Sequence, residues 1–124
     1  MSRFWLITAC ANAFISVSAG AFAAHGLRHR MASEALAAFE TAARYQMYHA
    51  IGLIAVAWLC APSPSRAAHA AGWAFTIGIV LFSGSLYALC LTGWRSLGMV
   101  TPFGGTAFLL GWVLLAVAGW NAKR

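Results

Sequence analysis

Apolar residues run along this chain in long unbroken stretches, and the polar ones gather at their ends. From Phe4 to Ala24 there are 21 residues without a charge, enough for a helix to cross about 30 Å of hydrocarbon. A second uncharged run, Tyr45 to Ala61, has 17 residues, at the short limit of about 17–25, so its helix is predicted to start upstream of the run. Two more follow, from Ala70 to Gly93 and from Pro102 to Trp120. The pattern predicts an all-α fold: an integral membrane bundle of four transmembrane helices, with spans at about 4–24, 45–61, 70–93 and 102–120 of one domain covering 1–124.

Between the runs, the connections have their own signals. His25 to Ala32 is a basic link containing Arg28, His29 and Arg30. Ser33 to Ala43 sets Leu36, Phe39 and Ala43 against Glu34, Glu40 and Arg44, which predicts a short interfacial amphipathic helix leading into the second span, with Ser33 as N-cap. Gly26 is expected to end the first helix, and Pro62-Ser63-Pro64-Ser65-Arg66 is the clearest turn. Thr101-Pro102 fits an N-cap followed by proline at the first helical position. Arg3, an apolar core and Ala21-Phe22-Ala23 imitate a signal peptide. Retention of the segment is expected, because Ser16, Gly20 and Ala24 form a small-xxx-small packing face, as Ala107 and Gly111 do in the fourth span.

Composition agrees with the pattern. Hydrophobic residues make up 62% and charged residues 8%, with a mean hydropathy of +0.77, whereas soluble domains are about 25% charged. The net charge of +6 comes from basic residues scattered singly or in pairs at span ends, which suits headgroups and gives nucleic acid no continuous face. Cys10, Cys60 and Cys90 lie far apart in apolar stretches without a C-x-x-C and read as packing residues. Arginines and lysines are level between the two membrane faces, so orientation stays open.

Up-down-up-down connectivity brings the end of the first span, the start of the second, the end of the third and the start of the fourth to one face. His25, Tyr45, Gln46, His49, Ser83, Tyr87 and Thr101 all fall there and are expected to form one polar cluster. Thr41, Tyr45, His49 and Gly52 share a helix face, beside the i,i+4 pair Glu40 and Arg44. Such a cluster serves either as interhelical glue or as a ligand or proton site centred on His49. A metal site through His25 and His29 lacks the cysteine or carboxylate needed to complete a set, and no metal or other cofactor is expected.

Gly20-Ala21-Phe22-Ala23-Ala24-His25-Gly26-Leu27, Phe39-x-Thr41-Ala42-x-x-Tyr45-Gln46-x-x-His49-Ala50, Phe82-Ser83-Gly84-Ser85-Leu86-Tyr87 and Thr101-Pro102-x-Gly104-Gly105 follow one another in the chain. In that order they resemble the signature blocks of the YgdD and transmembrane-protein-256 family, once catalogued as a domain of unknown function. Ala23 departs from the family pattern, which usually has glycine there, and this bears on how closely a neighbouring helix approaches. The resemblance implies a four-span protein, commonly of the bacterial inner membrane, with its first segment retained and no established activity.

Among function classes, the leading expectation is a non-enzymatic module that binds lipid or a hydrophobic ligand or packs into a larger membrane complex. Its partners would be the bilayer and a membrane protein or a second copy of itself. The alternative is an oligomeric transporter or channel with a histidine-based polar site, although no carboxylate lies within a span. The usual enzyme constellations are missing: no H-E-x-x-H, no G-x-S-x-G and no Asp in the chain.

Overall fold

Helices occupy almost every residue from 1 to 122, the part of the chain that the computed structural model describes. α1 (Ser2–Phe22) runs on through a π-helical turn, Ala23–Leu27. α2 (Ser33–Leu59) has no break. α3 (Arg66–Gly78) continues through a π segment, Ile79–Gly84, into α4 (Ser85–Thr92). A 3-10 turn, Arg95–Met99, then leads to α5 (Thr101–Asn121). No strand forms among the described residues.

Three of these rods, Ser2–Leu27, Arg66–Thr92 and Arg95–Asn121, are long and apolar enough to cross a membrane. α2, at 27 residues, is as long, but Arg44, Tyr45, Gln46, Tyr48 and His49 lower its hydropathy. It is also the central helix, with ten buried residues against three in α1 and four in α5.

Several local expectations change. One holds: the helix of the second apolar run starts upstream of it, since Ser33 to Leu59 is one continuous helix whose first turns are the amphipathic segment. Its N-cap is Ala32, with Ser33 as the first helical residue. Val100 caps α5, so Thr101 and Pro102 are its first two residues. Gly26 does not end the first helix: it lies inside the π turn, where a Cβ would come within 2.7 Å of the Phe22 ring. The Pro-Ser turn forms as expected, and Ser65 Oγ accepts from the Ala68 N–H at 3.2 Å to cap α3. Gly93, in the left-handed conformation at φ 73°, terminates α4.

Packing follows a seam of alternating four- and three-residue steps. On α1 the seam is Trp5, Ala9, Asn12, Ser16, Ala19 and Ala23, and on α2 a run of the same rhythm passes through Ala43, Gln46, Ala50, Leu53, Ala57 and Cys60. Ser16 Oγ donates to the Ala43 carbonyl at 2.6 Å, and Gln46 Nε2 donates to Asn12 Oδ1 at 3.0 Å, which sets the antiparallel register. This 3.5-residue spacing is the left-handed bundle arrangement. Of the expected small-xxx-small face only Ser16 is buried; Ala24 is exposed, and a Cβ on Gly20 would meet nothing within 4 Å.

Rings set into glycine notches join the other helices. A Cβ on Gly72 would lie 2.7 Å from the Trp5 ring, one on Gly52 2.9 Å and one on Gly111 2.6 Å from the Phe75 ring, and one on Gly78 would run into Phe108. Trp5, Phe75, Leu53 and Val56 are fully buried. Small residues admitting close approach are how helices associate where apolar burial gives little drive.

Candidate functional site: an aromatic groove over His49

His49 is the polar residue with the most elaborate surroundings. Its Nδ1 lies 2.6 Å from the Tyr45 carbonyl oxygen, and the Trp112 indole N–H donates to its Nε2 at 3.1 Å. A carbonyl only accepts and an indole N–H only donates, so the imidazole is the neutral tautomer with its proton on Nδ1. The ring stacks flat on Phe108, with centroids 3.4 Å apart and an interplanar angle of 4°. Both nitrogens and one face are thus fully engaged, and only 4% of the residue is exposed.

Beside this ring runs an open groove of about 480 Å³, lined by Tyr45, Tyr48, His49, Phe82, Gly105, Phe108, Leu109 and Trp112. α2, the π segment and α5 supply its walls. Tyr45 packs on Phe82 at 4.9 Å and on Tyr48 at 5.4 Å between ring centroids. Both tyrosines are exposed. No charged residue lines the groove. Its depth depends on the close contact of α5 with the π segment, where Gly104 lies against the backbone of Leu81 and Phe82. π segments of this kind recur at functional positions.

The seven residues expected to form one cluster fall into separate groups. Gln46 and Tyr87 are joined, the tyrosine hydroxyl donating to Gln46 Oε1 at 2.8 Å, and Gln46 passes the chain on to Asn12 in α1. Ser83 Oγ donates to the Ala42 carbonyl on α2 at 2.8 Å, and Thr101 pairs with Ser85 at 2.6 Å. His49 joins Trp112 and Tyr45, but through the Tyr45 backbone; the Tyr45 side chain turns to the groove. His25 is exposed on the π turn with no side-chain hydrogen bond among the described residues. The buried polar side chains come from α1, α2, the π segment and α4, each is satisfied locally, and among the described residues no buried side-chain N or O lacks a partner.

Sequence reasoning missed Asn12, Trp112 and a second tryptophan–histidine pair. Trp5 Nε1–H donates to His69 Nδ1 at 2.8 Å, which leaves the His69 Nε2 proton facing Cys60 Sγ at 3.8 Å. A metal on Nε2 would force the proton to Nδ1, against the Trp5 N–H, so Cys60 and His69 form a packing contact. Among the described residues no three His, Cys, Asp or Glu side chains come together in a way that could hold a metal. The available signals were depth: Asn12 sits in mid-span, and Trp112 lies well inside the fourth apolar run rather than in an interfacial belt.

Comparison with known proteins adds the family. A profile described as "Protein of unknown function (DUF423)" matches residues 19–105. The UPF0382 membrane protein YwdK of Bacillus subtilis is 43% identical, over 94% of this chain and 95% of its own. A UPF0382 membrane protein of Haemophilus influenzae is 42% identical over 99% and 98% of the two chains, and one of Staphylococcus epidermidis 42% identical over 94% of each. No solved structure matches.

Proposed function

As the chain belongs to the DUF423 family, whose relatives are named UPF0382 membrane proteins, we propose that it is a four-span protein of the bacterial inner membrane that holds an uncharged hydrophobic ligand in the groove over His49. α2 serves as the fourth span because Gln46 and His49 turn inward, each 4% exposed and hydrogen-bonded, while Tyr45 and Tyr48 keep their rings at the groove. Satisfied in this way, they avoid the cost of several kcal/mol for an unpaired polar group in hydrocarbon.

The observation that carries the ligand reading is the groove itself, which is aromatic on its walls, free of charge and floored by a neutral imidazole. Tyr45 and Tyr48 bring hydroxyls to it and have no side-chain hydrogen bond among the described residues. A few polar groups on an apolar concavity are the usual make-up of a small-molecule site. In this reading the groove holds its ligand as a binding module. The transporter or channel alternative has less support, since both His49 nitrogens are already occupied and no carboxylate stands near them.

Photolabelling in bacterial membranes with a diazirine-bearing long-chain alcohol tests this. Labels are expected on peptides containing Tyr48 and Leu109. Gly105→Leu should reduce them several-fold without unfolding, because a Cβ there meets only Phe82 Cδ2, at 3.9 Å. Equal labelling of both proteins would refute the reading.

A further inference from the structure

A second concavity lies on the other side of the bundle, between α1 and α4. It is a cleft of about 380 Å³ whose walls include Phe14, Ile15, Phe22 and Leu91, with Phe39 and Tyr87 behind. The back wall is a row of edge-to-face rings: Phe22 to Phe39 at 6.5 Å and Phe39 to Tyr87 at 4.9 Å. From Phe14 to Phe22 the cleft follows α1 for about 12 Å. α1 and α4 run the same way, and both end in cations at the same end of the bundle. α1 passes through its π turn into Arg28, His29 and Arg30, and α4 passes through Gly93 into Trp94 and Arg95, all of them exposed. That end carries three arginines, Arg28, Arg30 and Arg95, against one carboxylate, Glu34 at the start of α2, whereas Glu40 and Arg44 lie further along α2, toward the level of Ser16 and Ser83.

We propose that this cleft binds one anionic phospholipid, with an acyl chain along Phe14, Phe22 and Tyr87 and the phosphate among Arg28, Arg30 and Arg95. Guanidinium groups match phosphate through paired N–H donors, and arginines next to a span attract acidic headgroups. A zwitterionic lipid would satisfy the cleft but not the charge above it. A second copy of this chain is a poor occupant, because it would bring its own arginines to the same end, and a helix about 10–12 Å across is wide for a cleft of this volume. The cleft is separate from the groove over His49, so the two assignments stand or fall independently.

Native mass spectrometry of the full chain, released from nanodiscs holding equal phosphatidylglycerol and phosphatidylethanolamine, tests the proposal. One phosphatidylglycerol should be retained in preference to phosphatidylethanolamine. The preference should vanish in the triple variant Arg28→Gln, Arg30→Gln, Arg95→Gln, whose changes lie outside the apolar runs. Ser18→Phe should also abolish retention, since Ser18 lines the cleft and bonds only within its own helix, to the Phe14 carbonyl. Gly105→Leu should retain the lipid. Equal retention of both lipids in the wild type would overturn the assignment. So would phosphatidylglycerol preference surviving Ser18→Phe, which would mean adsorption to a basic surface. A loss of dimer rather than lipid in Ser18→Phe would give the cleft to a second copy, and lipid loss in Gly105→Leu would move the lipid to the other groove.

Discussion

Adding one methyl group at Gly104 should damage this fold more than any other glycine-to-alanine change on α5 outside the ring notches. A Cβ there would lie 2.7 Å from Phe82 Cβ and 2.8 Å from the Leu81 carbonyl carbon, and closer still to the Phe82 backbone nitrogen. Carbon atoms pack at about 3.5–4.0 Å, and no side-chain rotation can relieve a clash with backbone. α5 must therefore retreat from the π segment by about 1 Å. Phe108, one turn along, would withdraw with it from the Gly78 notch and from its stack on His49. Overpacking of this kind costs about 1–3 kcal/mol. At about 2 kcal/mol the unfolding equilibrium shifts roughly 30-fold. Gly105→Ala is the control, with only Phe82 Cδ2 at 3.9 Å, and should stay within about 0.5 kcal/mol of wild type. Reversible unfolding in mixed micelles of rising SDS content, followed by far-UV circular dichroism, reads both. If the two variants unfold together, the close approach of α5 to the π segment is not what holds the groove in shape.

Gln46→Leu should leave the Tyr87 hydroxyl and the Asn12 side-chain oxygen unpaired and destabilise the bundle; a double-mutant cycle with Tyr87→Phe should return a coupling of about 0.6–1.7 kcal/mol, and additivity would deny the link. His49→Gln should fold, with the Trp112 emission shifted as an amide replaces its imidazole acceptor, yet take up less photolabel in the groove; unchanged labelling would reduce His49 to interhelical glue. Cysteines placed at Ser2 and Ala122 in a background lacking the native ones should both react from the same side of the membrane, and labelling from opposite sides would exclude four spans.

The all-helical fold was readable because long uncharged apolar runs have the length and composition of membrane helices, and three of the rods meet that measure. Pro62 to Arg66 was readable because prolines break helices locally, whatever lies around them. Boundaries that depend on tertiary contact were less so. Gly26 resembles a helix terminator, yet the helix continues through it because the Phe22 ring packs over it. The seam from Trp5 to Ala23 is present in the sequence as alternating steps of four and three, but after Trp5 its members are small or polar, while the outward-facing neighbours are as apolar as any core. Hydrophobic periodicity, which marks the core face in water, carries little contrast in a membrane helix, where small size is the better marker. The face chosen from spacing alone, Ser16, Gly20 and Ala24, is therefore offset from the one that packs.

The site was legible in its residue types and not in its pairings. Counting polar groups at one end of the bundle brought Gln46, His49, Ser83, Tyr87 and Thr101 to attention, and each proves to be hydrogen-bonded. It assumed that they satisfy one another, whereas a helix also offers carbonyls, and Ser83 takes the one at Ala42. A neutral imidazole away from water needs both a donor and an acceptor, and for the two histidines packed between helices a tryptophan supplies the donor: Trp112 for His49 and Trp5 for His69. An indole N–H does this without adding charge, and its large ring fills space at the same time. The two pairs differ in what lies beyond the imidazole. His69 presents its remaining nitrogen to Cys60, while His49 lies beside an open aromatic groove. With both nitrogens committed, His49 offers a neutral polarised surface rather than a free base, which suits the uncharged ligand proposed for the groove.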